Sequence, residues 1–87
     1  MSYYRDNKKI NGIYSITNHA LVRAKKRISN FKNLPDTDVI FFIGEIIDNA
    51  VEDLIFNSFN DYCLFNYEHR IQFILTSDNV IKTIIKK

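Results

Sequence analysis

Eighty-seven residues, 46% of them hydrophobic, are enough for one folded domain and leave no room for a second. The single cysteine, Cys63, excludes an internal disulfide, and residues 1–11 lack the apolar segment of a secretory signal. Since the longest apolar run, residues 39–43, is far too short to cross a bilayer, we expect a cytoplasmic protein with no membrane partner.

The net charge of +2 hides a separation of charge along the chain. Residues 1–33 carry eight Lys or Arg residues and one acid, whereas residues 34–61 carry seven acids and no base. The two blocks could attract each other inside the fold, or each could face a partner of opposite charge.

The chain begins with a basic segment, residues 1–12, which we predict to be a flexible arm because it ends at an Asn-Gly turn signal. Alternating apolar and polar residues over 13–17 predict a short strand. Thr17 or Asn18 can then cap a first helix that runs to about Ser29. The apolar positions of this helix share one face at helical spacing: Ala20, Leu21, Ala24 and Ile28.

A second helix follows the loop that holds the only proline. We expect Asp36 or Thr37 to cap it and the helix to end near Asn57. Its apolar stripe is wide, and Phe41 and Phe42 are expected to belong to the core. The stripe comprises Val39, Ile43, Ile46, Ile47, Ala50, Val51 and Leu54.

The remaining residues predict three strands, at 62–67, 70–76 and 80–85, because they are rich in β-branched and aromatic side chains. The connections between them are short, which requires antiparallel pairing. Residues 13–87 are therefore predicted to form a single α+β domain. Its order is a short N-terminal strand, two helices and a three-stranded antiparallel sheet.

The clearest candidate for chemistry is a basic stripe on the first helix. His19, Arg23 and Arg27 follow one another at intervals of four residues, with Lys26 beside them. Like charges at this spacing cost roughly a few tenths of a kcal/mol per pair, so an unpaired row favours an external anion such as phosphate. A solvated face, or one neutralised by the acidic second helix, explains the stripe equally well.

The same segment carries a motif. Residues 16–27 read Ile-Thr-Asn-His-Ala-Leu-Val-Arg-Ala-Lys-Lys-Arg and fit the pattern I-x-x-H-A-x-x-R-x-x-x-R. The pattern resembles the opening of a widespread family of small bacterial and phage proteins of unknown function, in which a helical segment and then strands follow. Residues 73–84 look like the closing hairpin of that family, so the resemblance covers most of the chain from residue 13 onward.

This family has been grouped with the barnase–RelE-like fold, which includes the RelE- and BrnT-type ribonuclease toxins. The resemblance therefore implies a RelE/BrnT-like α+β fold and an RNA-directed role, and it carries over His19, Arg23 and Arg27. A glycine often follows the second arginine in the family, where this chain has Ile28. The acid–base residues that the toxins keep on their last strands have no clear equivalent, which leaves open whether the chain is an enzyme.

A ribonuclease of this kind would direct a 2′-hydroxyl at its own phosphate, which needs a base, an acid and positive charge but neither a metal nor a cofactor. His19 or His69 could carry the proton, with Glu68 as an alternative base. The candidate phosphate ligands are Arg23, Lys26, Arg27 and Arg70.

A second interpretation is a non-enzymatic inhibitor from a phage or mobile element that binds a host defence protein. The acids of the second helix would imitate a row of phosphates on a basic partner. They are Asp38, Glu45, Asp48, Glu52 and Asp53. Pairing of the basic and acidic faces between copies would instead give a homodimer.

Overall fold

The computed structural model describes residues 7–56 and 58–87. The predicted α+β class is confirmed: in these ranges two α-helices pack on one sheet. The described elements are β1 (Lys8–Lys9), β2 (Ser15–Ile16), α1 (Asn18–Arg27), a 3₁₀ helix (Ser29–Phe31), α2 (Asp36–Asp48), β3 (Val51–Glu52), β4 (Asp61–Asn66), β5 (Ile71–Thr76) and β6 (Val80–Lys86).

The sheet is larger than the sequence predicts. Within the described residues it has six strands in the order β1-β2-β6-β5-β4-β3, so the predicted three-stranded antiparallel sheet is wrong. The strands β4, β5 and β6 do pair antiparallel, but β2 adds to β6 in parallel, and β1 and β3 extend the two edges. The added strands are two residues long, too short to show an alternating pattern in the sequence.

The N-terminal segment belongs in part to this sheet. Lys8 and Lys9, which we expected in a flexible arm, form β1, and residues 1–6 lie outside the described residues. Ile10 then packs against α2 at Gly44, where a methyl group in place of the hydrogen would lie 3.2 Å from the Cγ2 of Ile10. Gly44 therefore allows this segment to approach the helix closely.

The first helix begins where the capping rule places it. The Thr17 hydroxyl accepts a hydrogen bond of 3.0 Å from the backbone N–H of Ala20. The helix ends at Arg27 because Ile28 is extended, two residues before the predicted end. Ala20, Leu21 and Ala24 are buried against β6, which fixes the direction in which the polar side of α1 faces.

The second helix is shorter than predicted. It ends at Asp48 rather than near Asn57, and the Asn49 side chain donates to the carbonyl of Glu45 at the last turn. The chain then enters β3, so Glu52 and Asp53 are not on this helix. The acids from Asp38 to Asp53 therefore do not form one helical row.

One core lies between the helices and the sheet. Its fully buried side chains come from both helices and the central strands, and they include Ile16, Ala20, Val39, Ile43, Ile71, Phe73, Leu75, Ile81 and Ile84. Neither α1 nor α2, nor any other helix in the described ranges, has the length and apolar character to cross a membrane.

Candidate functional site

A groove of about 990 Å³ opens at the end of the molecule where α1 stops. The end of α1, the 3₁₀ helix and the last turns of α2 form one wall, and the turn between β4 and β5 forms the other. We call it the histidine groove. Its polar and aromatic lining includes Arg27, Phe42, Glu45, Glu68, His69 and Lys86.

His69 is held at this groove by a buried amide. The side chain of Asn66, which is 1% exposed, donates from Nδ2 to the carbonyl of Ile46 at 2.9 Å. Its Oδ1 accepts the backbone N–H of His69 at 2.8 Å. One side chain therefore ties the β4–β5 turn to the last turns of α2, and this link sets the position of His69.

His69 and Glu68 place an imidazole and a carboxylate side by side in the groove. Nε2 of His69 lies 3.9 Å from Oε1 of Glu68, which is too long for a hydrogen bond. Both side chains are at least half exposed, so a bound molecule can reach them. An imidazole can give or take a proton near neutral pH.

Arg27 faces the same groove from the end of α1. Its Nη1 donates to the carbonyl of Ile84 on β6 at 3.0 Å, which holds one end of the guanidinium against the sheet. In the described part of the chain Arg27 makes no other hydrogen bond, so most of its five donors can bind an anion. Lys86, near the end of β6, adds a second cation.

An aromatic face completes the lining. The rings of Phe31 and Phe42 stack with centroids 6.1 Å apart and planes 17° apart. Phe31 is buried, but Phe42 is 41% exposed, and Phe41 is more exposed still, which corrects the expectation that both belong to the core. An exposed ring beside a cation is a surface on which an unpaired base can stack.

The predicted basic stripe is divided by the fold. His19 is exposed in the first turn of α1, about 12 Å along the helix axis from Arg27. Among the described residues, the lining of the histidine groove includes neither His19 nor Arg23. Lys26 and Arg27 line a second groove on the other side of the helix end.

Arg70 lies next to His69 but outside the lining. Its backbone is left-handed, with φ of 57°, and its carbonyl accepts from the N–H of Lys87 at 2.8 Å. The structure thus gives Arg70 a role in the turn between β4 and β5.

The acidic and basic blocks are joined at one point in the described residues. Lys25 pairs with Asp36 at 3.0 Å, between the end of α1 and the start of α2. Arg23 and Arg27 form no ion pair with an acid of α2 within these ranges. The acids proposed as a partner surface are dispersed: Asp38, Glu45 and Asp48 lie on α2, Glu52 lies on β3, and Asp53 accepts from the N–H of Ile55.

Other reactive groups do not add to the site. Burial raises the pKa of the Cys63 thiol, which is fully buried and therefore a poor nucleophile. No group of three or more potential metal ligands exists in the ranges that the structure describes.

Three residues that line the groove are not predicted from the sequence to belong to a functional site. Asn66 and Lys86 sit on strands where a polar residue gives no signal, and Phe42 fits the apolar stripe of α2. No family model, no curated protein and no solved structure matches this chain, so the resemblance to the toxin-like family stays a prediction that rests on the motif alone.

Proposed function

We propose that this protein binds single-stranded RNA in the histidine groove and cleaves it by transesterification. The supporting observation is that one groove brings together the guanidinium of Arg27, the His69–Glu68 pair and the exposed ring of Phe42. The guanidinium can bind a phosphate, the His69–Glu68 pair can transfer a proton, and the ring can stack on a nucleobase.

In the proposed reaction the 2′-oxygen of a ribose attacks the adjacent phosphorus. The new 2′-O–P bond forms as the bond from phosphorus to the 5′-oxygen of the next nucleotide breaks. Glu68 takes the proton from the 2′-hydroxyl, and protonated His69 gives a proton to the departing 5′-oxygen. Arg27 and Lys86 bind the phosphate oxygens, which carry additional charge in the transition state.

The two histidines of the chain provide a matched test. We expect His69→Ala to lower the cleavage rate of a single-stranded oligoribonucleotide by about 10²- to 10⁴-fold, the usual contribution of a general acid or base. His19→Ala removes the same side chain from an exposed position outside the groove and should leave the rate unchanged.

The substrate provides the second control. An oligonucleotide with one 2′-deoxyribose should resist cleavage at that position alone, because the attacking oxygen is missing. Equal rates for the two histidine variants would remove His69 from the mechanism. Absence of cleavage by the wild-type protein would refute the enzyme, and failure to bind RNA would refute the proposal as a whole.

A second candidate function is docking on a basic protein, as an inhibitor of a host defence protein would do. It is favoured by three exposed apolar side chains that follow two acids in the chain: Leu54, Ile55 and Phe59, each more than four-fifths exposed, come after Glu52 and Asp53. Exposed apolar groups of this size are typical of protein interfaces. Ile55→Ser with Phe59→Ser should abolish capture of such a partner and leave RNA cleavage intact, whereas loss of cleavage would contradict this assignment.

A further inference from the structure

A second groove of about 600 Å³ adjoins the histidine groove at the end of α1. We call it the lysine groove. Arg27 and Ser29 line both grooves, so the two lie side by side at the helix end. The rest of its described lining is Val22, Lys25, Lys26 and Lys32.

The cations of the lysine groove are only partly used by the protein. Asp36 neutralises Lys25 at 3.0 Å. In the described ranges, Lys26 and Lys32 have no ion pair or side-chain hydrogen bond, and both are exposed. The negative end of the α1 dipole favours cations near the helix end, but it does not occupy their N–H donors.

The two grooves differ in charge. In its described lining, the histidine groove has two cations, Arg27 and Lys86, against two acids, Glu45 and Glu68, and the protonated His69 of the proposed reaction adds one positive charge. The described lining of the lysine groove has four cations and no acid, and its nearest counter-charge is Asp36 on Lys25. Because phosphate contacts dominate the affinity for nucleic acids, the histidine groove, whose two acids offset two of its cations, is by itself a weak site for a polyanion.

We infer that the two grooves form one track, in which the lysine groove binds the phosphates that flank the scissile nucleotide in the histidine groove. This inference rests on the proposed function and adds a length requirement to it. A dinucleotide reaches only the histidine groove, whereas a longer single strand passes Arg27 and reaches Lys26 and Lys32. The substrate is therefore single-stranded RNA of more than two nucleotides.

The test compares a dinucleotide and a hexanucleotide of 2′-O-methyl uridine, which cannot be cleaved during the measurement. Binding is followed by fluorescence anisotropy over a range of salt concentrations. The double variant Lys26→Ala, Lys32→Ala loses two contacts, each worth about 0.7 in the slope of log affinity against log salt for a single strand. The slope for the hexanucleotide should fall by about 1.4, which is a loss of roughly 25-fold in affinity at 0.1 M salt.

The matched control is Lys8→Ala with Lys9→Ala. It removes the same charge from two exposed lysines of β1, which line neither groove. The control variant should bind the hexanucleotide like the wild type, and the dinucleotide should not distinguish the two double variants.

Each outcome is decisive. Equal hexanucleotide affinities for the two double variants, or equal affinity of the wild type for both lengths, would overturn the track while leaving the histidine groove as an RNA site. Tighter binding of a duplex of the same length would overturn the single-strand assignment. If the wild type binds neither oligonucleotide, the proposed function fails together with the track.

Discussion

Asn66 offers the sharpest test of how the site is assembled. Truncation to alanine removes the hydrogen bonds to the Ile46 carbonyl at 2.9 Å and from the His69 N–H at 2.8 Å. A buried group that loses its partner costs about 1–3 kcal/mol. The Ile46 carbonyl still accepts from Asn49 at 3.3 Å, and His69 is exposed to water, so each loss lies near the lower limit.

The small cavity that the alanine leaves adds about 1 kcal/mol, which brings the expected loss in the free energy of unfolding to about 3 kcal/mol. For a chain of this length that is roughly a third of the total stability, and it lowers the midpoint of thermal unfolding by about 12–24 °C. Urea titration followed by circular dichroism measures the loss directly.

Asn49→Ala is the matched control, because Asn49 is exposed and makes one side-chain hydrogen bond, to the Glu45 carbonyl at 3.0 Å. It should cost less than about 1 kcal/mol. If Asn66→Ala is no more destabilising than this control, the buried link between the turn and α2 does not carry the energy assigned to it. Well below its unfolding midpoint the Asn66 variant should also cleave RNA more slowly, since His69 loses its anchor.

Three further outcomes are expected. Thr17→Ala should lower the free energy of unfolding in urea by about 1 kcal/mol through loss of the α1 cap, whereas Thr37→Ala, on the exposed side of α2, should change it by less than about 0.5 kcal/mol. Cys63 should resist alkylation by iodoacetamide in the native protein and react once urea unfolds it; rapid native labelling would contradict its burial. Burial, followed by the charges of Tyr14 and Glu52, raises the pKa of Tyr62 above its ordinary value of 10.0. The stabilising contribution of this tyrosine is therefore complete below pH 10 and is lost as the pH rises through its pKa in the folded protein. The wild type should therefore lose more stability than Tyr62→Phe as the pH rises above about 10, and parallel curves would contradict the assignment.

Local signals in the sequence predict part of this fold. Thr17 marks the start of α1 because a cap acts within three residues, and β-branched runs mark the three long strands because the strand pattern is local. The sequence predicts an end of α2 that is too late, because Val51 and Leu54 continue a helical apolar stripe. In the structure these two residues are 52% and 84% exposed. Beyond the end of the helix, Val51 pairs with Phe65 in the sheet, a contact that no local pattern reveals.

The candidate site, like the fold, is predicted from the sequence only in part. The sequence indicated Arg27 and His69 separately, from a helical spacing and from a turn. Their meeting in one groove depends on how α1 packs on β6 and on the position of the β4–β5 turn, both of which are tertiary. The stripe of His19, Arg23 and Arg27 is continuous on a helical projection, but α1 is long enough to separate its two ends.

The parallel pairing of β2 with β6 has a consequence for biosynthesis. β6 lies in the interior of the sheet and packs against α1, yet it follows every other described element in the chain. During translation, β2 and α1 emerge from the ribosome long before the strand that must lie beside them. The helix therefore has no completed surface to cover until synthesis has passed Lys86, and a nascent chain that stalls earlier exposes the apolar side of α1 to chaperones and proteases.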